Sequence, residues 1–502
     1  MANDPAPEPV TVRRFVLAMC VLPWITSPLS GQATAFHAPP QGMASVDTFI
    51  ETAQRDRDIP SISVSVAQHG KIIYEKAYGL ADREKHLPAA PNTPYYVASV
   101  TKALTGISLM ILQANNKIDL DRPANDYLRS ARLHSPMWDV SQATVRRVAN
   151  HTAGLTTYDH KCIVGDARCH ASTEVAIERY GLVFWPPGDH FDYSNLGYGV
   201  LGQIISNVSG ESFPEFLRRE IFEPLKMNDC YLPVTGDLRI GSAVNYGDRS
   251  AKPSPLHVSD TPAASSARCS AHDLAVFGSF VLGTPVQGQK KILADNSLRR
   301  LLYSDEASAG EHYSFGWDRN DAQDYKGVFA QGGTEDSFAV LQLIPEAGLS
   351  VAVISNTGTT FPFEIVDRIV GTLLPPKSSP RAMPKDTGKD GEPAPELAGH
   401  WTGAIQTWTG RVPLSISISS ANSVQAAVGD NAAALTVCEK PSMTHSRIDC
   451  MTHGDLGTSD APSPPYQIEL ELYLHGETLV GAATTSGGFQ LPYWAELKKA
   501  NR

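Results

Sequence analysis

Positive charge is in short supply in this 502-residue sequence: 42 Lys and Arg face 53 Asp and Glu, a net charge of −11. That balance argues against a nucleic-acid-binding surface. Long apolar runs are also lacking. The one candidate, Phe15 to Ile25, is too short to cross a bilayer comfortably. With Arg13-Arg14 before it and Gly31-Gln32-Ala33-Thr34-Ala35 after it, it reads as a signal peptide over residues 1–35. The residues around the arginine pair fit twin-arginine export poorly, and bulky Met19 before Cys20 argues against a lipoprotein site. No integral membrane span is expected. Neither His-Glu-x-x-His nor Gly-x-Ser-x-Gly occurs, which weakens metalloprotease and α/β-hydrolase readings. There is no internal repeat. A hydrophobic content of 42% is enough for two cores, and the chain is long for one.

What is present begins with Ser99-Val100-Thr101-Lys102, where extended Tyr95-Tyr96-Val97-Ala98 gives way to a helical pattern, Leu104, Ile107, Ile111. A hydroxyl and an amine three residues apart share one helix face. If that turn is buried, desolvation and nearby donors lower the ammonium pKa, and the neutral amine can take the serine proton. Ser99 is then a nucleophile that needs no histidine. Alone, the pattern is equally a helix cap followed by a solvated lysine. Two further motifs change its meaning. Tyr193-Ser194-Asn195 follows a Pro187-Gly188 turn and precedes a helical run, Val200, Leu201, Ile204, Ile205. A phenol near Lys102 can shuttle protons to a leaving group, and an amide one turn away can hold Lys102 and a substrate carbonyl. Gln331-Gly332-Gly333-Thr334 precedes a strand-like run, Ala339 to Ile344. Its glycines suit either a close backbone approach to ligand or a β-bulge.

In this order and at these separations the three motifs resemble the serine β-lactamase and penicillin-binding-protein superfamily, in its class C-like branch. Ser63 to Glu75, with a turn at His69-Gly70, looks like that family's opening hairpin. Asn150-His151-Thr152-Ala153-Gly154-Leu155 is similar to its "His-Thr-Ser-Gly-Leu" loop, and Ile221 to Met227 and Phe315-Gly316-Trp317 match in order. The likeness covers roughly residues 45 to 375. It implies an α/β (α+β) catalytic domain: a central antiparallel sheet flanked by helices, with a helical subdomain holding Tyr193. It also implies Ser99 as acylated nucleophile, Lys102 as its proton acceptor and Tyr193 as acid/base. Asn195, Gln331, Gly333 and Thr334 would contact substrate, with an oxyanion hole from the backbone N–H groups of Ser99 and Thr334. Gln331 departs from the family, whose members have lysine, histidine or, in some esterases, tryptophan there. Exchanging a charge-assisted bond to a substrate carboxylate for a neutral one forfeits about 1–2 kcal/mol. Ser265-Ser266 also replace a usual glycine pair, and Arg268 is the nearby cation that would supply the missing charge if it faced the cleft.

The tail differs in character. Residues 376–396 form a Pro- and Gly-rich linker between a hydrolase domain at 44–375 and an all-β domain at 397–502. Ile468 to Leu474 alternates with a period of two and ends at a His475-Gly476 turn, as in a small antiparallel barrel or sandwich. The region is similar to the lipocalin-like appendages of some relatives. It is expected to fold independently and to contribute no catalytic group. Trp401, Trp408 and Trp494 suit core packing, or alternatively a ligand surface. Without Cys20, six cysteines remain, consistent with three disulfides in an oxidising compartment: Cys162–Cys169, Cys438–Cys450 and Cys230–Cys269. His160 and His170 flank the first pair, so a zinc site competes with a disulfide in a loop bearing solvated histidines.

The whole reads as an exported, periplasmic or secreted, serine hydrolase acting on a small ester or amide, with no metal or organic cofactor. β-Lactam or D-Ala-D-Ala-type peptide hydrolysis is the enzymatic alternative. A penicillin-binding sensor or a degenerate interaction protein is the non-enzymatic one.

Overall fold

The run Ala339 to Ile344 leaves no strand face for water, and it lies inside an antiparallel sheet covered on both sides. The computed structural model describes residues 39–165, 172–233, 238–247, 252–294, 313–322, 325–375, 395–420, 423–429, 435–443, 446–459, 464–487 and 489–500. The expected presequence, most of the expected linker, and Cys169 and His170 lie outside these residues. The sheet has eight strands: β1 (Ser61–Gln68), β2 (Lys71–Asp82), β3 (Leu87–Pro88), β4 (Tyr313–Ser314), β5 (Trp317–Ala322), β6 (Tyr325–Thr334), β7 (Ser337–Ile344) and β8 (Leu349–Ser355). Their order is β3-β2-β1-β8-β7-β6-β5-β4. The β1–β2 hairpin turns at His69-Gly70, both in the left-handed region (φ 48° and 76°), as a two-residue hairpin turn requires.

Alternation along β7 and β8 feeds two cores. Val340, Val351 and Val353 pack with helices α1 (Met43–Asp56) and α5 (Phe361–Leu373). Ala339, Leu341, Ala352 and Ile354 join a larger core with α2 (Thr101–Ala114), α3 (Asn195–Ser209) and α4 (Ala271–Val281). Helix α2 is buried almost all round, including Thr101, Lys102, Thr105 and Ser108. Its hydroxyls are absorbed locally: Thr105 Oγ1 donates to the Ala263 carbonyl (2.7 Å) and Ser108 Oγ to that of Leu104 (2.9 Å).

The C-terminal region is all-β. Nine antiparallel strands, β9 (Gly399–Thr407), β10 (Gly410–Ser420), β11 (Ser423–Val428), β12 (Thr436–Val437), β13 (Glu439–Met443), β14 (Arg447–Gly454), β15 (Tyr466–His475), β16 (Thr478–Ser486) and β17 (Pro492–Lys499), run β12-β11-β10-β9-β17-β16-β15-β14-β13. The two edge strands are consecutive in the chain, so the sheet curls into a half-barrel whose edges meet around Cys438. The Cys438–Cys450 disulfide fastens that corner. The alternation at 466–472 points Tyr466, Ile468, Leu470 and Leu472 inward.

This domain packs directly on the helical part of the first. Leu182, Phe184 and Trp185 cluster with Val480, Ala482 and Trp494. Phe184 stacks on Trp494 (centroids 6.1 Å), and Trp185 meets Tyr473 at 4.9 Å. Asp159 and Gln490 exchange main-chain hydrogen bonds of 2.9 and 2.8 Å. Core packing is thus the use of Trp401 and Trp494, whereas Trp408 is exposed and carries the Arg179 guanidinium 4.1 Å above its ring. His160 is not the solvated loop histidine expected from sequence. It is buried, with its Nδ1 3.0 Å from Asp260 Oδ2, the same oxygen that accepts from the Tyr158 hydroxyl at 2.5 Å, and the Phe489 ring packs edge-on against it. Among the described residues no cluster of three metal-binding side chains occurs.

Truncating Trp494 removes a large side chain shared by both domains. Trp494→Ala is expected to cost about 3 kcal/mol or more, against about 1 kcal/mol for Trp408→Ala, whose exposed ring carries a cation–π contact. Urea unfolding of both variants checks this, and equal costs would contradict the packing described.

Candidate active site

The nucleophile candidate sits where strand geometry is forced into helix. Tyr95-Tyr96 pairs with Arg268-Cys269, and Ala98 then takes a left-handed conformation (φ 43°) that an L-residue adopts only at a cost. A 3₁₀ turn over Ala98–Val100 leads into α2. Ser99 thereby reaches the cleft while Lys102, one turn on, is buried. The Lys102 Nζ lies 3.0 Å from Ser99 Oγ, 2.7 Å from Asn195 Oδ1 and 3.0 Å from the Ala264 carbonyl.

Tyr193 precedes α3, whose N-cap is Ser194: its hydroxyl accepts from the Gly197 N–H at 3.1 Å. The Tyr193 Oη donates to Ser99 Oγ at 2.9 Å. Burial, first, and then the Asp318 and Asp159 carboxylates push this phenol above its ordinary range, so it holds its proton. His151, which sequence reasoning quoted only as part of a loop, brackets Tyr193 on both sides. Its carbonyl accepts from the Asp192 N–H (2.8 Å) and its Nδ1 from the Ser194 N–H (3.1 Å). Its ring lies 4.5 Å from that of Tyr193. Burial and then the Lys102 charge hold this imidazole well below its usual pKa. It is neutral, as its acceptor role demands.

The third motif forms the end of β6. Gln331, Gly333 and Thr334 line the cleft with Ser99, Tyr193 and Asn195, around a cavity of about 430 Å³. The glycine that matters most is Gly332, which sequence reasoning left aside in favour of Gly333. A Cβ at Gly332 would lie 2.2 Å from the Val97 carbonyl and 2.4 Å from the Ser99 nitrogen. At Gly333 the nearest atoms it would meet belong to the Phe338 ring, at 2.7 Å. The Phe315-Gly316 turn presses on α2 in the same way: a Cβ at Gly316 would be 2.4 Å from the Ala103 nitrogen. The remaining walls include Asp159, Ser265, Tyr313 and Asp318, of which only Ser265 had been singled out from sequence. Asp159 and Asp318 carry no motif, and their spacing along the chain gives no signal. Arg268 does not line the cleft. It is buried, donates to the Ala243 carbonyl at 3.1 Å and lies 5.7 Å over the Tyr96 ring.

Residues 46–373 match the Beta-lactamase family model. Protein flp of Staphylococcus aureus is 24% identical over 331 residues, which is 64% of this chain and 65% of that protein. The chain therefore spans a little under two thirds of that relative's length. Among solved structures, a class C beta-lactamase from Rhodobacter sphaeroides is similar over 66% of this chain and 99% of its own, with a TM-score of 0.53 and 20% identity. SurE is similar over 91% and 98%, with a TM-score of 0.60 and 20% identity. The longer SurE match takes in the curled C-terminal sheet as well. At such identities both likenesses speak for the fold.

Gly332→Ala should displace the nucleophile turn. Since an error of about 1 Å in a reacting group costs about 100-fold, covalent labelling of Ser99 by a fluorophosphonate should slow by that order, with circular dichroism unchanged. Gly333→Ala, which a ring rotation can accommodate, should have the smaller effect. Wild-type labelling rates for Gly332→Ala would refute this account.

Proposed function

The chain belongs to the beta-lactamase family, a family of serine hydrolases, and we propose that it is an exported member that hydrolyses a small ester or amide through an acyl-enzyme on Ser99. The observation that carries this reading is Ser99 Oγ held between Lys102 Nζ at 3.0 Å and Tyr193 Oη at 2.9 Å in an open cleft. The catalytic domain is residues 44–375, and residues 397–502 form a second domain. Export is supported by the Cys230–Cys269 and Cys438–Cys450 disulfides, which persist in oxidising compartments.

The hydrogen bonds around Lys102 fit both of its protonation states. A neutral amine gives its two N–H groups to Asn195 Oδ1 and Ala264 O and turns its lone pair to the Ser99 hydroxyl. An ammonium gives its third N–H to Ser99 Oγ. In the proposed cycle, Ser99 Oγ attacks the substrate carbonyl carbon and its proton passes to Lys102. The backbone N–H groups of Ser99 and Thr334 receive the oxyanion. As the carbonyl–leaving-group bond breaks, the leaving group takes the Tyr193 proton, which the Lys102 ammonium restores. Water then attacks the acyl-enzyme, releasing the acid and returning a proton to Ser99 Oγ. Gln331, neutral at the cleft wall, supports a neutral ester or amide over a penicillin or D-Ala carboxylate.

Ser99→Ala should abolish fluorophosphonate labelling, and Lys102→Ala should slow acylation by several orders of magnitude. Intact labelling of Ser99→Ala would sink the assignment. Many equivalents of product after the first turnover are expected with chromogenic esters, whereas a sensor yields one. Gln331→Lys should raise kcat/KM for carboxylate-bearing substrates relative to neutral esters by about tenfold, one charge-assisted bond. Strong wild-type preference for nitrocefin or D-Ala peptides would instead favour the β-lactamase or peptidase reading.

A further inference from the structure

Alternation along β14 and β15 turns Ile448, Cys450, Leu470 and Leu472 into the half-barrel, so Arg447, Asp449, Glu471 and Tyr473 share its outer face. Such a face commonly meets water. Here it meets the hydrolase domain, beside the Val480, Ala482 and Trp494 contact with Leu182, Phe184 and Trp185. Arg447 stands directly opposite Tyr473 in the strand register, and its Nη1 donates to the Tyr473 hydroxyl at 2.8 Å. Its Nε donates to Asp449 Oδ1 at 2.7 Å, and Nη1 lies 3.0 Å from Glu471 Oε1. These partners hold the guanidinium and the phenol ring in one geometry. The ring meets Trp185 at 4.9 Å, and Trp185 Nε1 donates to Asp192 Oδ2 at 3.0 Å. Asp192 is the residue before Tyr193.

The apolar contact by itself joins the two domains. The charged corner beside it comes at a cost, because Asp449, Glu471 and, across the interface, Asp192 share one guanidinium away from full solvent. Burial first, and then Asp192 and Asp449, push the Glu471 carboxyl up to about 7. Burial raises Asp192 as well, while Trp185, Thr156, His190 and Arg447 draw it down again. Partly buried charges stabilise a fold only when their geometry is good, and departures from the simplest packing are expected where a site needs them. Two bonds to His151 hold the main chain on either side of Tyr193. The Asp192 side chain is a third tether, and it is the one the second domain reaches.

We propose that Arg447 and Tyr473 of the C-terminal domain are positioning residues for the acid Tyr193, acting through Trp185 and Asp192. The inference rests on the acyl-enzyme reading above and gives the second domain a part in it. Neither residue lines the cleft. They set where the Tyr193 hydroxyl stands when the carbonyl–oxygen bond breaks and the leaving oxygen takes its proton. p-Nitrophenolate is a weak base and leaves without that proton, whereas phenolate and trifluoroethoxide are stronger bases and need it. Misplacing Tyr193 therefore penalises the poorer leaving groups. Losing folded enzyme penalises all of them alike.

The test uses the full chain and the p-nitrophenyl, phenyl and 2,2,2-trifluoroethyl esters of butyrate, with kcat/KM read for each. Tyr193→Phe should lower the phenyl and trifluoroethyl values relative to p-nitrophenyl by about 100-fold or more, the worth of general-acid transfer. Arg447→Met should lower the same ratios by about tenfold, part of the roughly 100-fold that a 1 Å misplacement costs. Its p-nitrophenyl value and fluorophosphonate labelling rate should stay within about twofold of wild type. Tyr473→Phe removes one hydrogen bond and keeps the ring, and should lower the ratios by about threefold. The ratios do not depend on how much of a variant folds. Unchanged ratios in both Arg447→Met and Tyr473→Phe, or equal losses on all three esters, overturn this inference alone. Unchanged ratios in Tyr193→Phe, or a wild type that hydrolyses only the p-nitrophenyl ester, remove the acid to be positioned and overturn it while Ser99 stands as nucleophile. A protein inert to the fluorophosphonate and to every ester overturns the hydrolase reading and the inference together.

Discussion

The Lys102 amine is the point on which the rest of the cleft depends. An ionisable group taken out of water costs several kcal/mol unless its hydrogen bonds are replaced. Three separate chain segments supply the replacements: the turn before α2, the start of α3, and the short helix Pro262–Ser265. Folding those segments together is therefore one event with satisfying the amine. The same three contacts fix Ser99, Asn195 and the Ala264 wall relative to each other. Tyr193 enters the arrangement through Asn195, two residues on, and through His151.

Backbone proximity is the second constraint. The end of β6 and the Phe315-Gly316 turn both approach α2 and its leading turn at distances where no Cβ fits. Gly332, Gly316 and Gly106 are the positions that make this possible; at Gly106 an added Cβ would lie 2.1 Å from the Phe315 carbonyl. Such contacts hold the left-handed Ala98 in place, so the strain beside Ser99 is over-determined by packing rather than relaxed.

The second domain is less separate than a linker-joined appendage suggests. Its aromatic contact with Phe184 and Trp185 lies beside the chain that delivers Asp192 and Tyr193, and Trp185 Nε1 donates to Asp192 Oδ2 at 3.0 Å. Through the Gln490 main chain it also fixes Asp159 on the cleft wall. No side chain of this domain lines the cleft among the described residues. Its influence is on the placement of groups from the first domain.

Elements whose signal is local can be read from neighbouring residues alone. The β1–β2 hairpin, the strand alternation at Ile468–Leu474, the helix after Ser99 and the three motifs were legible because periodicity and turn chemistry are written in neighbouring residues. The disulfides Cys230–Cys269 and Cys438–Cys450 followed from cysteine count and separation. Tertiary structure alone decided which glycine carries the close approach, since Gly332 and Gly333 differ only in what lies across from them. It alone buried His160 against Asp260, removed Arg268 from the cleft and made His151 the support of Tyr193. It alone brought Asp159 and Asp318 to one cavity from positions 159 residues apart. A side chain's charge is fixed by its identity, but what that charge acts upon is fixed only when distant segments pack together.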